Sequence, residues 1–208
     1  MTVATLRSVN VGRITVHEHH GRQVSTGIFK EPVTGRVSTR GDNIDGDDQA
    51  DRAVHGGPDR AAYAYASEDL VWWEGELGRD VPPGSMGENL TTTGLDVSGA
   101  LVGERWRIGS AVFEVSAPRV PCYKLGIRMG DGRFPVRFAK AGRPGAYLRI
   151  VEHGEIGAGD VIEIVRRPEH DVSVALVARA YHEDHALAPW LLAAPELSAG
   201  WREWALSR

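Results

Sequence analysis

The chain carries a single cysteine, Cys122, and the residue types around it favour chemical reactivity. It lies in the segment Pro118-Arg119-Val120-Pro121-Cys122-Tyr123-Lys124-Leu125. A lone thiol cannot form an intrachain disulfide, so a chemical role would be that of a nucleophile, a redox centre or a metal ligand. Arg119 and Lys124 are close enough in sequence to favour the thiolate, and the two prolines predict a rigid loop. A small buried hydrophobic residue is the competing interpretation, and the local sequence leaves both open.

Four further segments contain more glycine and polar residues than a packed core requires. They are Gly27-Ile28-Phe29-Lys30 with Gly41, Gly46, Asp47, Gln49 and Asp51; His55-Gly56-Gly57-Pro58-Asp59-Arg60; residues 84–94, with Glu88, Asn89 and Thr92; and Gly142-Arg143-Pro144-Gly145-Ala146-Tyr147. Glycines let a backbone approach a ligand closely, and the polar side chains offer donors to an anion. Arg143 is a candidate phosphate clamp. A solvated loop or a tight turn explains the first two segments as well, so both interpretations stay open.

Nucleotide, zinc and hydrolase motifs are not supported by the spacing of the residues. Residues 84–94 lack the Lys-Ser/Thr that follows the second glycine of a Walker loop. The run His17-Glu18-His19-His20 lacks the His-Glu-x-x-His spacing of zinc proteases and is interpreted as a polar strand end. A Cys-His hydrolase would need a histidine beside Cys122; His55 and His153 are available, but no family signature surrounds the thiol.

Composition and charge exclude several classes of partner. The formal net charge of -4 provides no basic stripe for nucleic acid. No apolar run approaches the roughly 20 residues that span a bilayer, and the first residues lack a signal-peptide pattern. A free cysteine without a disulfide framework fits a reducing compartment. We therefore predict a cytoplasmic protein without nucleic-acid or membrane partners.

The first two thirds of the chain predict β structure interrupted by glycine. The predicted elements are a β-branched run over 3–16, a hairpin of 100–108 with 111–116, and a second strand pair of 147–152 with 160–166. One helix is predicted from a cap at Ser67 to a stop at Gly78. Short strands and 25 glycines favour a barrel or folded sheet over a doubly wound layer.

The pattern changes after Arg166-Arg167-Pro168, where helical spacing begins. Val174, Val177, Ala178 and Tyr181 predict one helix from Ser173 onward, and 188–194 and 198–206 predict two more, with Ser198 as a candidate cap. We place a main domain at 1–167 and a three-helix domain at 168–208. A unit of about 40 residues cannot hold a core alone, so it must dock on the barrel or on another subunit, which leaves a homodimer open.

Taken together and in order, these segments resemble the MOSC family, named after the C-terminal domain of molybdenum cofactor sulfurase. The similarity is greatest to its YiiM-like branch, the 6-hydroxylaminopurine reductases. The matching residues are Gly27-Ile28-x-Lys30, Gly46-Asp47-x-Gln49-x-Asp51, His55-Gly56-Gly57-x-Asp59-Arg60, Gly87-Glu88-Asn89-Leu90, Pro118-Arg119-x-Pro121-Cys122-x-Lys124-Leu125 and Gly142-Arg143-Pro144-Gly145. The tail around Ser198-Ala199-Gly200-Trp201-Arg202 is similar to the three-helix domain that follows the barrel in this branch.

The resemblance implies a mainly β fold with helices, in which a MOSC β-barrel of the pyruvate-kinase-barrel type precedes the small three-helix domain. It also implies a molybdopterin cofactor whose molybdenum is ligated by Cys122, a soft ligand when ionised. Glu88 and Asn89 are then the other catalytic candidates, on the substrate side. The cofactor-binding candidates are Lys30, His55, Gly56, Gly57, Asp59, Arg60, Thr92, Arg119, Lys124, Arg143 and Gly145.

The activity implied by the resemblance is reduction of N-hydroxylated small molecules such as hydroxylamino purines. One cysteine cannot hold an iron–sulfur cluster, so electrons would come from a separate reductase. A non-catalytic molybdopterin carrier and a sulfur-transfer protein with a persulfide on Cys122 remain alternatives, since both predict the same ligands. Pyridoxal phosphate is also associated with the family, but the three lysines, Lys30, Lys124 and Lys140, lack a Schiff-base context.

Overall fold

The fold was taken from a computed structural model that describes residues 3–50 and 56–208. Asp51 and His55, which belong to two of the predicted motifs, lie outside the described residues. The strands are β1 (Thr5–Val11), β2 (Thr15–His19), β3 (Arg22–Thr26), β4 (Glu31–Pro32), β5 (Arg36–Arg40), β6 (Asn43–Ile44), β7 (Ala62–Ala66), β8 (Leu90–Thr93), β9 (Arg105–Ile108), β10 (Ala111–Pro118), β11 (Ala146–Glu152), β12 (Glu155–Gly157) and β13 (Ile162–Arg166). The α-helices are α1 (Ser67–Leu77), α2 (Tyr123–Met129), α3 (Phe134–Lys140), α4 (Val174–His182) and α5 (Ala199–Leu206), and Pro58–Arg60 and His185–Ala193 are 3-10 helices.

Eight of these strands form one mixed sheet in the order β13-β9-β10-β11-β7-β8-β1-β4. Within this sheet β7 and β8 run parallel, and the other neighbours are antiparallel. Strand β1 also bonds to the segment that leads into β13, because Leu6 N donates to Asp160 O at 2.8 Å and Ile162 N donates to Ala4 O at 2.9 Å. The two ends of the sheet therefore approach each other, while closure into the predicted barrel remains a prediction.

The two predicted strand pairs have different outcomes. The hairpin of β9 and β10 about Gly109-Ser110 is confirmed, with Ala111 opposite Ile108. The predicted pairing of 147–152 with 160–166 is wrong, because β11 pairs with β10 and β7 whereas β13 pairs with β9. The link between them is not a hairpin turn: it contains β12, which pairs with β5 in a separate sheet.

The predicted helix between Ser67 and Gly78 is confirmed as α1, but the cap residue is one position earlier. Ala66 occupies the N-cap position in extended conformation, and Ser67 is the first helical residue. Gly78 ends the helix with φ 63°, a left-handed conformation that glycine adopts without steric cost. Helices α2 and α3 were not predicted, since the prolines near Cys122 favoured a loop throughout.

Two apolar clusters account for most of the interior. One lies within the sheet and contains buried residues such as Leu6, Leu90, Trp106 and Phe113. The other packs α1, α2 and α3 against β7 and includes Trp73, Leu125, Phe134 and Phe138. Each such side chain contributes about 1.5–3 kcal/mol when fully buried. The second cluster holds in place the helix that begins just after Cys122.

The C-terminal segments are helical, as predicted, although the middle one is a 3-10 helix. Ser173 caps α4, its Oγ accepting from Leu176 N at 3.1 Å. Ser198 occupies the N-cap position of α5 without a side-chain cap bond. These segments share an apolar cluster with Val102, which precedes β9, so they pack on the rest of the chain. The domain boundary at 168 and a homodimer stay predictions. Along the part of the chain that the structure describes, we find no helix with the length and apolar character of a membrane span.

Candidate functional site around Cys122

Cys122 lies on the wall of a cleft of about 620 Å³, a volume that includes the mouth open to solvent. The cations that line it are Lys30, Arg60, Arg119 and Lys124. The predicted candidates Asn89 and Cys122 line it too, so six candidates that are far apart in sequence share one site.

The cysteine is held at the mouth of this cleft by the loop that leaves β10. It is half-buried and occupies the N-cap position of α2, with φ -118° and ψ 171°. Its carbonyl accepts from Leu125 N at 3.0 Å, and the Leu125 side chain is fully buried. Because α2 is anchored by this packing, the sulfur is positioned on a rigid element and is not sealed within aliphatic side chains.

Arg119 supplies a buried positive charge beside the thiol. Its guanidinium donates to the Met86 carbonyl, and its Cζ lies 5.0 Å from the centre of the Tyr63 ring. Burial lowers the pKa of Arg119, but the nearby groups of Tyr147, Tyr63 and Cys122 raise it, and the net direction is upward. The guanidinium therefore stays charged and favours the thiolate form of Cys122.

Lys30 shares its charge with Asp47 in a buried ion pair. The Lys30 and Asp47 side chains are 8% and 1% exposed. Burial lowers the pKa of Lys30, and the Asp47 carboxylate opposes that shift. Asp47 Oδ1 also accepts from Gly12 N at 2.8 Å, whereas its Oδ2 has no hydrogen-bond partner among the described residues. Asp47 thus fixes the position of the Lys30 side chain. The other cations in the lining are Arg60, Arg119 and Lys124.

Two tyrosines form an aromatic wall of the cleft. Tyr63 on β7 and Tyr147 on β11 are opposite each other in the sheet, with ring centroids 5.3 Å apart. The Tyr63 hydroxyl donates to Pro144 O at 2.7 Å, and burial raises the pKa of Tyr63 well above its usual value. The Arg60 Cζ lies 5.7 Å from the centre of the Tyr147 ring. This wall is apolar in body and cationic at its edges.

Glu88, predicted as a catalytic residue, is buried behind the cleft and does not line it. Its carboxylate accepts from Gly84 N at 2.6 Å, Met86 N at 3.0 Å and Thr91 Oγ1 at 3.0 Å. Burial raises the pKa of Glu88, and these hydrogen bonds oppose that shift. Because the same loop presents the Met86 carbonyl to Arg119, Glu88 shapes the site indirectly.

Asn89 and Thr92 occupy opposite faces of the strand region around β8. Asn89 lines the cleft, but its Oδ1 accepts from Tyr63 N at 3.1 Å and its Nδ2 donates to Asn10 O at 3.3 Å. Thr92 is fully buried opposite Leu6 of β1 and does not line the cleft. Side chains alternate along a strand, so Thr92 shares the core face with Leu90.

Arg143, the predicted phosphate clamp, points away from the cleft. It is ion-paired with Asp69 of α1, and its Cζ lies 4.7 Å from the centre of the Trp72 ring. Gly145 has φ 62°, and a Cβ there would lie 2.6 Å from the Ala64 carbonyl. Close packing against β7, rather than contact with a ligand, explains why position 145 is a glycine.

The segment after the undescribed residues contributes Arg60 alone to the cleft lining. Gly57 precedes the 3-10 helix with φ 88°, next to Gly56. Asp59 forms an ion pair with Arg149, with 2.5 Å between Asp59 Oδ1 and Arg149 Nε. Of the two histidines considered for a Cys-His hydrolase, His153 lies in the described residues. It contacts Thr39 at 3.5 Å and does not line the cleft.

The cleft also contains residues that the sequence reasoning missed. Tyr63 was not selected, although alternation of Ala and Tyr in Ala62–Ala66 could have marked one face of a strand. Tyr147 was quoted only as the last residue of its glycine-containing segment. Asp47 was quoted only as a motif residue, and its buried pairing with Lys30 explains why an acid follows that segment. Among residues 3–50 and 56–208 no group of three or more His, Cys, Asp or Glu could hold a metal.

The chain as a whole is similar to several known proteins. A profile described as MOSC domain matches residues 51–163. YflK of Bacillus subtilis (strain 168) is 35% identical over 198 residues, which are 94% of this chain and 90% of that protein. YiiM of Escherichia coli (strain K12) is 33% identical over 180 residues, which are 84% of this chain and 80% of that protein.

Two further similarities concern a longer protein and a solved structure. A protein named Reductase from Gibberella moniliformis (strain M3125 / FGSC 7600) is 33% identical over 182 residues, covering 84% of this chain but 31% of that protein. The crystal structure of YiiM from Geobacillus stearothermophilus superposes with a TM-score of 0.81 at 30% identity, covering 98% of both chains.

Proposed function

Because this chain belongs to the MOSC family, in its YiiM-like branch, we propose that the cleft binds a molybdopterin cofactor and that the protein is a reductase of N-hydroxylated small molecules. One observation carries the proposal: Cys122 shares a single cleft with Arg119, Lys124, Lys30 and Arg60. A relative named Reductase supports the general class of activity. The substrate class and the source of electrons belong to the proposal.

The residues present fit such a cofactor. Its phosphate and its metal-binding sulfur atoms carry negative charge, and four cations line the cleft. The cofactor brings metal ligands of its own, which suits a site with one thiol and no metal-binding cluster among the described residues. When bound, it supplies a metal that exchanges electrons with the substrate.

The roles of the protein groups follow from their surroundings. Cys122 would hold the metal, and the positive charge of Arg119 would favour its thiolate form. Lys124 and Arg60 are placed to bind the phosphate as charge-assisted donors. The Tyr63 and Tyr147 wall orients the ligand and excludes water from one side, and the neutral Tyr63 hydroxyl is tied to Pro144 O.

The proposed reaction removes one oxygen from the substrate. An R–NHOH group takes up two electrons and two protons, its N–O bond breaks, and the products are R–NH₂ and water. The electrons come from a separate reductase, because one cysteine cannot hold an iron–sulfur cluster.

The test compares wild type with Cys122→Ser after production in a host that makes the cofactor. We expect molybdenum and 6-hydroxylaminopurine reduction by reduced methyl viologen in the wild type, and loss of both in the variant. Arg143→Gln, outside the cleft, should retain both. Unchanged activity in Cys122→Ser refutes the proposal. Bound molybdenum without turnover indicates a carrier, and a stable extra sulfur without metal indicates sulfur transfer.

A further inference from the structure

The segment that contains Cys122 has a charge opposite to that of the rest of the chain. Residues 119–143 hold seven of the 24 basic residues and one of the 28 acidic residues, a net charge of +6. The remaining residues therefore carry a net charge of -10. The segment comprises the loop at Cys122 and helices α2 and α3, so the positive charge is concentrated beside the cleft.

Helix α3 presents part of this charge outward as a stripe. Arg133, Val136, Arg137 and Lys140 are all exposed, and their spacing of three and four residues places them on one face. The opposite face, with Phe134 and Phe138, is buried. The ion pair of Arg137 with Asp131 is long, at 3.6 Å, and exposed, so it neutralises little of the stripe.

An apolar groove runs alongside the stripe and reaches the cysteine loop. It is lined by Pro121, Pro135, Val136, Ala139 and Lys140, together with His182 of α4 and the following residue, Glu183. Pro121 directly precedes Cys122, and its neighbours Val120 and Tyr123 are 38% and 51% exposed. An apolar centre with a charged rim is the usual anatomy of a protein–protein interface.

We propose that this α2–α3 face, formed by the stripe and the groove, is the docking surface for an acidic electron-donor protein. The inference rests on the proposed function, which requires electrons from a separate protein. Charge complementarity selects an acidic partner and accelerates its encounter. The position of Pro121 places such a partner next to the residue proposed to hold the metal.

A nucleic acid fits this surface less well than a protein does. The stripe has only three cations, Arg137 and Lys140 on a helix of seven residues and Arg133 at its N-cap, and the rest of the chain is strongly acidic. A long polyanion that followed the stripe would meet repulsion beyond it. The groove is lined mainly by apolar side chains such as Pro121, Val136 and Ala139, which apolar side chains of a protein can fill and a phosphate backbone cannot.

The experiment uses the cofactor-loaded protein and two reductants. Reduced flavodoxin, an acidic flavoprotein, tests docking, and reduced methyl viologen delivers electrons without a docking surface. For Arg133→Glu/Lys140→Glu we expect a fall of roughly tenfold or more in kcat/KM for flavodoxin and an unchanged viologen-driven rate. The flavodoxin rate of the wild type should fall as salt is raised, and that of the variant should respond much less. The control, Arg7→Glu/Arg107→Glu, reverses two exposed charges on β1 and β9 and should behave as wild type.

The outcomes separate this inference from the proposed function. An unchanged flavodoxin rate and salt response in Arg133→Glu/Lys140→Glu overturns the docking surface. So does viologen-driven turnover that neither flavodoxin nor an acidic ferredoxin supports. Binding of a DNA duplex or of anionic lipid vesicles that this variant abolishes, without any effect on flavodoxin, reassigns the face to those partners. If the wild type fails with viologen as well, the proposed function itself is refuted.

Discussion

Replacing Asp47 by asparagine tests how the cleft holds Lys30, one of its buried cations. Both charged groups of the Lys30–Asp47 pair are almost fully buried, and asparagine can still accept the hydrogen bond from Gly12 N. The substitution therefore removes the charge and leaves the Lys30 ammonium without its partner. Breaking a buried pair in this way costs about 3–5 kcal/mol. For a chain of this length each kcal/mol corresponds to about 2–4 °C, so we expect the melting temperature to fall by roughly 6–20 °C.

The loss of stability in Asp47→Asn should depend on pH in a defined direction. Burial lowers the pKa of Lys30 below 10.5, and Asp47 opposes the shift, so Asp47→Asn lowers that pKa further. Between the folded-state pKa and 10.5 the unfolded chain binds more protons than the folded one, and stability rises with pH. That window is wider in the variant. Its deficit relative to wild type should therefore be greatest at neutral pH and shrink as the pH rises toward 10.

Urea unfolding followed by far-UV circular dichroism at about pH 7 and about pH 9.5 measures both effects. Asp48→Asn is the matched control, because Asp48 is an exposed neighbour, and it should change stability by less than about 0.5 kcal/mol. Lys30→Met/Asp47→Asn should lose less than the two single variants together. An Asp47→Asn protein within about 1 kcal/mol of wild type, or with the same deficit at both pH values, refutes the reasoning.

Two further substitutions test other features of the structure. Gly145→Ala should destabilise the protein by roughly 2–4 kcal/mol, since φ is positive and the new Cβ would lie 2.6 Å from the Ala64 carbonyl. Its control is Gly75→Ala in α1, where nothing lies within 4 Å of the added Cβ. This control should stabilise the protein by about 0.5–1 kcal/mol, and thermal melts of both variants measure the two effects. Arg143→Gln should lower stability by about 1–3 kcal/mol, because it leaves the largely buried Asp69 carboxylate without its ion pair. The cofactor content should not change. A loss of cofactor with unaltered stability would show that Arg143 does bind the cofactor.

The site was only partly predictable from residue types. Cys122, Arg119 and Lys124 could be selected because their interaction is local in sequence, and Lys30 and Arg60 because they lie in glycine-containing motifs. Glu88 and Arg143 are also charged residues in glycine-containing motifs, but neither lines the cleft: the fold of its own loop buries Glu88, and Arg143 pairs with Asp69, which is distant in sequence. The backbone amides of Gly84 and Met86 turn Glu88 inward, and Asp69 draws Arg143 to α1. The local sequence pattern does not predict whether such a side chain faces the cleft.

The strand pairing shows the same limit at the level of the fold. The hairpin of β9 and β10 is a two-residue turn, so its sequence contains all the information that it requires. Strand β11 instead pairs with β7, about eighty residues earlier, and that choice depends on the whole sheet. Tyr63 and Tyr147 meet in the cleft only because of this pairing.

The amino-acid sequence by itself determined the strand-rich character of the first two thirds of the chain, the positions of α1 and the C-terminal helices, and the presence of two cations close to its one thiol. These properties arise from periodicity, glycine and proline placement, and charges a few residues apart, all of which act over short distances. The tertiary structure alone decided which cations share the cleft with that thiol, that Glu88 is buried outside the cleft lining, and that the basic stripe of α3 lies beside Cys122. Burial and long-range pairing set these relations, because the free energy of a charge depends on the groups that surround it in space.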